Sequence, residues 1–213
     1  MIDYSDIFLE VKNNIALLCD DAMDSRGCAF SADRAIGAGA RAVSVAYDTT
    51  SQMWRWLEKS NVKIWSRYVV PQDFDIKQVV GDIYSMYRAG AYGVHIFVAP
   101  DVLGKLTTEL KPVAPDLFFN HGAVFVSDIS AIPPIGWGTR CADINDIDGA
   151  GQGLVLSDKD VDIANFYGML MAENFSPARE LHIFSSAPKQ IEGVWRLVKK
   201  LHPDAVKQIL FFV

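Results

Sequence analysis

The chain has 213 residues, 50% hydrophobic and 22% charged, enough apolar content to bury a core and unlike a disordered polymer. Lys and Arg number 20 against 26 Asp and Glu, and the net charge of −6 argues against nucleic-acid binding or docking on anionic lipid. No apolar run approaches the roughly 18 residues that span a bilayer, and the acidic start, Met1 to Asp6, does not read as a signal peptide.

In chain order, an amphipathic segment comes first, with Ser5, Ile7, Phe8 and Val11. A strand is expected from Ile15, running into Cys19 and Asp20, and the next from Ala42 to Asp48. Thr50 or Ser51 can cap a helix carrying Trp54 and Leu57. A third strand follows near Val62. Asp75 then caps a helix whose Ile76, Val79, Val80 and Ile83 repeat at helical spacing. Further strands are expected near Gly93, Ala123, Gly153, Leu181 and Gln208. Ser157 or Asp158 can open a helix with Val161, Ala164, Tyr167 and Met171. Ser186 and Pro188 open another with Ile191, Val194, Trp195 and Val198. Segment 129–152 is the weak link, because Pro133, Pro134, Gly136 and Gly138 allow only a short or irregular helix there.

The expected strand starts recur about every 28 residues, the length of one strand, one helix and two short loops. Alternating strands and helices imply a parallel sheet with right-handed crossovers. Eight strands in one domain over 1–213 imply a compact, closed (β/α)8 barrel of the TIM type. The leading helix would fill the outer ring beside the last strand, which no helix follows. The alternative is an open doubly wound parallel sheet.

Such a barrel carries its chemistry at the C-terminal ends of its strands. Asp20, Asp48, Arg67, Asp128, Ser185 and Ser186 are expected there. Aspartate and serine at these positions also have a plain role as helix caps. Strand alternation places Ser44, Ala46 and Asp48 inward, with Lys63, Trp65 and Arg67, then His95 and Phe97, then His182, Phe184 and Ser186. Buried charge must be paired, so this interior is either a site or a salt-bridged network. Asp48, Arg67 and His95 come from consecutive strands. As neighbours they would offer a carboxylate and an imidazole for proton transfer and a guanidinium for an anionic oxygen. Ser185, Ser186 and Lys189 would hold an anion at a helix N-terminus. In the loop 129–140, Trp137 would close over the ligand.

A lysine could serve as a Schiff-base amine, but Lys63 lies at the start of its strand, and Lys159 and Lys189 lie in first helical turns. His121 and His202, beside Gly and Pro, read as surface loop residues. The acidic run 143–149 lacks the register of a calcium loop and reads as a surface turn. Cys19, Cys28 and Cys141 show no CxxC spacing and fit a reducing cytoplasm, with Cys19 as a buried hydrophobe. No dinucleotide, P-loop, zincin or hydrolase-elbow motif occurs.

Three readings follow. The first is a small-molecule lyase or isomerase using acid/base chemistry on a carbonyl or sugar-like substrate. The second is a glycoside hydrolase with an aspartate pair from Asp20, Asp48 and Asp128, weakened because no Glu ends a strand. The third is a ligand-binding or structural barrel without catalysis. No cofactor is firmly implied. A metal-dependent version would recruit Asp20, Asp48, Asp128 and His95, donors suited to Mg²⁺ or Mn²⁺. The expected partner is a small molecule, with homo-oligomer formation open and neither nucleic acid nor membrane involved.

Overall fold

In the computed structural model, residues 5–131, 137–157, 159–172, 175–177 and 179–213 are described. Eight strands pair in parallel and in chain order, and the last closes on the first. They are β1 Ile15–Leu18, β2 Ala42–Ala46, β3 Lys63–Val69, β4 Gly93–Phe97, β5 Gly122–Asp128, β6 Ala150–Val155, β7 Leu181–Phe184 and β8 Ile209–Phe212. The closed barrel is therefore the architecture, and the open sheet is ruled out by the β1–β8 ladder. β6 starts at Ala150, ahead of Gly153, because glycine-rich 150–153 lacks the branched apolar residues that mark a strand in sequence.

Helices cover the outside: α1 Ser5–Glu10, α2 Ser25–Gly37, α3 Thr50–Leu57, α4 Ile76–Arg88, α5 Pro100–Leu110, α6 Ala114–Leu117, α7 Trp137–Asn145, α8 Asp160–Leu170 and α9 Pro188–Leu201. α4 starts where expected, with the Asp75 carboxylate accepting from Lys77 N. α9 buries its expected stripe of Ile191, Val194, Trp195 and Val198. α1 takes the place beside α9. Ile7 and Val11 join the same apolar cluster as Ile191 and Phe211, and Glu10 meets Lys199 at 2.6 Å.

Three expectations need correcting. In α8 the expected apolar stripe faces outward, since Val161, Tyr167 and Met171 are exposed. The buried face is Asp162, Asn165, Phe166, Met169 and Leu170, because Ser157 donates to Asp162 Oδ2 at 2.8 Å and ties that carboxylate inward instead of capping the helix. Trp54, whose place on a helical stripe with Leu57 predicts a core residue, is exposed and lies across the backbone of Gly90, where a Cβ would come within 2.3 Å of its ring. The acidic run beginning at Asp143 is not wholly a turn, for its first three residues finish α7.

The barrel interior packs around one large side chain. Trp65 is fully buried on β3, and its register neighbours across β4 and β5 are Gly93 and Gly122. A Cβ at Gly93 would stand 2.4 Å from the indole, and one at Gly122 2.8 Å from it. Gly153 is similarly hemmed in by Val124 and Val126. These glycines clear space for bulky residues on neighbouring strands. Among the described residues, no helix is long and apolar enough to cross a membrane.

Candidate active site at the C-terminal mouth

A cleft of about 420 Å³ opens at the C-terminal end of the barrel. Leu18, Cys19, Asp20, Asp21, Arg67, Phe97, Val155 and Phe184 line it. Alternation explains the walls, since Leu18, Phe97, Val155 and Phe184 are the last inward positions of four strands and Arg67 lies on the inward face of β3, one pleat before its end.

Among the described residues, Arg67 is the only basic one in that lining. Its Nη1 donates to the Ser44 carbonyl at 2.8 Å, and its Nη2 donates to the Cys19 carbonyl and to Asp21 Oδ1, both at 2.7 Å. Its side chain is 10% exposed while that of Asp21 is 89% exposed. The guanidinium is thus clamped by the ends of β1 and β2, with one edge on the cleft. Asp20 also lines the cleft and is exposed. Burial pushes the Cys19 thiol up from its ordinary value, so at neutral pH it is a neutral thiol and no ready nucleophile. Cys28 and Cys141 are buried and free as well.

The expected trio does not assemble. Arg67 and His95 are register partners, but β2 ends at Ala46, and Asp48 sits exposed on a 3-10 turn over Tyr47–Thr49. The chain turns there because Thr49 and Thr50 hydroxyls both donate to the Ala46 carbonyl. The residue that faces His95 is Ser44, whose Oγ lies 2.9 Å from His95 Nδ1. His95 itself lies below the cleft, fully buried. It stacks on Trp65 at 4.9 Å, and its Nε2 lies 2.8 Å from His182 Nδ1. Burial, then His182 and Arg67, hold His95 well below the ordinary imidazole range, so it is neutral at neutral pH.

The remaining expected residues are dispersed. Asp128 ends β5 but turns back on its own loop, where its Oδ1 accepts from Ser130 N at 2.8 Å and Ser130 Oγ at 2.7 Å. Ser185 is buried, and its Oγ accepts from Ala187 N at 3.2 Å; Ser186 is exposed. Lys189 pairs with Asp160 on α8 at 2.6 Å. Trp137 opens α7, but its side chain and loop residues 132–136 lie outside the described residues. Among the described residues, Lys63 is the only lysine in a strand. It stands at the N-terminal end of β3 with Nζ 3.7 Å from the Tyr92 ring centroid. His121 stacks on Tyr87, and His202 Nε2 lies 2.7 Å from the Leu170 carbonyl, so both are packed rather than free surface residues. Among the described residues, no three His, Cys, Asp or Glu side chains are grouped as metal ligands, and both ring nitrogens of His95 are already engaged.

Two features escaped the sequence. Glu180 precedes β7 and stands 3.5 Å from His182 Nε2. The signal existed, because residues two apart share a strand face. Arg140 is buried and donates to Ser127 Oγ at 2.7 Å, yet nothing in the sequence of 129–140 tells its inward pointing from a surface arginine.

No protein-family model matches the chain, and no curated protein does. Solved structures do match in fold. The aldolase QR15 superposes with TM-score 0.71 at 10% identity over 100% of this chain and 92% of its own. The tetrameric deoxyribose phosphate aldolase of Aeropyrum pernix gives 0.70 at 14% identity over 98% and 92%. A dihydrodipicolinate synthase gives 0.59 at 10% identity over 89% and 71%. At these identities the likeness establishes the barrel fold alone.

Proposed function

We propose that the chain is a small-molecule enzyme of the lyase or isomerase kind, working by acid/base chemistry on a carbonyl or sugar-like substrate in the C-terminal cleft. The observation that carries this is Arg67, a nearly buried guanidinium fixed by Ser44, Cys19 and Asp21 at the wall of an otherwise largely apolar cleft. A preorganised cation at the wall of a cleft stabilises the oxyanion that develops when a proton leaves the carbon beside a carbonyl, or when a carbon–carbon bond there breaks. Asp20 is the carboxylate in the same lining that is free of Arg67, and it serves as the base. Phe97 and Phe184 cover the carbon skeleton. Aldolase neighbours of the same fold agree with this class by analogy only.

The aspartate pair of a glycosidase finds less support. Asp48 and Asp128 stand outside the lining, and Asp21, beside Asp20, is engaged by Arg67. An imine route through Lys63 is also unsupported, because Lys63 lies at the opposite end of the barrel, and Lys189 at the start of α9 is paired with Asp160. A second reading, ligand binding without turnover, is favoured by the buried histidines, which engage each other instead of the cleft.

The test is turnover of 2-deoxyribose 5-phosphate and a panel of hydroxy-ketones, read as aldehyde release, with and without EDTA and with added Mg²⁺ or Mn²⁺. Arg67→Ala should lower kcat/KM by about 100-fold or more, the size of one lost oxyanion donor. Asp20→Asn should lower kcat by a similar order. Melting shifts without turnover select the binding reading. A lysine adduct trapped by borohydride defeats the acid/base route.

A further inference from the structure

Below the cleft, four polar side chains form a column along the barrel. Ser44 Oγ lies 2.9 Å from His95 Nδ1, His95 Nε2 lies 2.8 Å from His182 Nδ1, and His182 Nε2 faces Glu180 Oε2 at 3.5 Å. Ser44, His95 and His182 are fully buried, while the Glu180 side chain is 37% exposed at the N-terminal face. The upper end reaches the cleft through the backbone, since the Ser44 carbonyl accepts from Arg67.

Hydrogen counting fixes the direction of this column. An ionised carboxylate only accepts. Burial alone would raise the Glu180 pKa, but His182, Lys63 and Arg41 hold it below its ordinary value, so Glu180 is ionised at neutral pH. His182 Nε2 has no hydrogen-bond partner, and the ionised carboxylate facing it at 3.5 Å favours a hydrogen on this nitrogen, because a bare lone pair there would be repelled by the carboxylate. Both imidazoles are neutral, their charged forms disfavoured first by burial. His182 Nδ1 is then the bare nitrogen and must accept from His95 Nε2–H. His95 Nδ1 is bare in turn and accepts from the Ser44 hydroxyl. One carboxylate at the N-terminal face thus dictates every donor up to the residue that anchors Arg67. The reversed order, with hydrogens pointing toward Ser44, would need Glu180 to bring a proton of its own.

We propose that Glu180 is a positioning residue that locks both buried histidines as Nε2–H tautomers and so sets the hydrogen-bond direction of the Ser44–His95–His182 column beneath the cleft. The charged groups facing the column are Arg67 at its upper end and Arg41, Lys63 and Glu180 at its lower end. This inference is independent of the reaction assigned to the cleft, because it concerns the resting protein.

The test is two-bond ¹⁵N–¹H spectroscopy of the ¹⁵N-histidine protein at pH 7.5. The four histidines are assigned by single substitution. Wild type should show His95 and His182 with bare Nδ1 and protonated Nε2. Glu180→Gln keeps an acceptor oxygen and should leave both tautomers in place. Glu180→Leu removes the acceptor and should bring a measurable Nδ1–H population at His95, two residues up the column from the substitution. Protonated Nδ1 on either histidine in wild type overturns the proposal whether or not the leucine variant folds. So does a Glu180→Leu spectrum with both histidines unchanged.

Discussion

At the upper end of the barrel axis, Arg67 holds two backbone carbonyls and one exposed carboxylate, and a cleft stands open beside it. A few ångströms below, His95 and His182 hold each other, with Trp65 stacked against one and edge-on to the other. Both regions are polar groups inside one barrel, yet they meet the demand for pairing differently. The upper group is satisfied by the backbone at strand ends and keeps an edge free. The lower groups are held by one another and packed against aromatic faces, with Trp65 Nε1 and His182 Nε2 lacking a hydrogen-bond partner. Polarity inside a barrel therefore does not by itself mark a site; access beside a satisfied polar group does.

The sharpest break in that comparison is Trp65→Ala. It empties the lower layer, where Gly93 and Gly122 already lack side chains to collapse into the space. A loss of about 3–5 kcal/mol is expected. Urea denaturation checks it, and a loss under about 1 kcal/mol would mean that the lower layer is not close-packed.

Acid comes next. His95 and His182 have folded pKa values below the unfolded value of about 6.5. The unfolded chain therefore binds more protons than the native one as pH drops below that value, and stability falls with it. The slope reaches about 1.4 kcal/mol per pH unit for each histidine until its folded pKa is met. Glu180, with its lowered pKa, adds loss of the same sign in a more acidic window. Urea midpoints at pH 7.5, 6.5 and 5.5 give the slope. A flat profile would show that both histidines titrate in the folded protein as they do in the unfolded chain. His182→Asn should flatten part of it.

Most of the fold is legible in the sequence, because strand spacing and helix stripes are one-dimensional signals. All eight strands fall within a few residues of their expected starts. The column and the clamp are less legible. Period-two alternation places Ser44, Trp65, Arg67, His95 and His182 inward correctly, and that is all it can do. It does not say where a strand stops, and β2 stops at Ala46, which takes Asp48 out of the interior. Nor does it say which inward residues meet across the barrel, and the His95–His182 contact joins β4 to β7. Glu180 lies one residue outside its strand, where the eye stops counting, and Asp20, Asp21 and Asp128 look alike in sequence although their partners are unlike.

The smallest expected effect is the most discriminating at the upper end. If Arg67 is held by backbone carbonyls, its carboxylate partner matters little for stability. Asp21→Asn removes a charge whose side chain is 89% exposed, and a pair so open to water contributes at most about 1 kcal/mol. Arg67→Ala instead strands the Cys19 carbonyl near the barrel interior, while the Ser44 carbonyl keeps the Cys19 N–H, and should cost about 1–3 kcal/mol. The two variants, unfolded in urea at low and at high salt, separate the cases. Asp21→Asn should be near wild type at high salt, where exposed pairs are screened. Equal losses in both variants would mean that the carboxylate, and not the ends of β1 and β2, sets the guanidinium in the cleft.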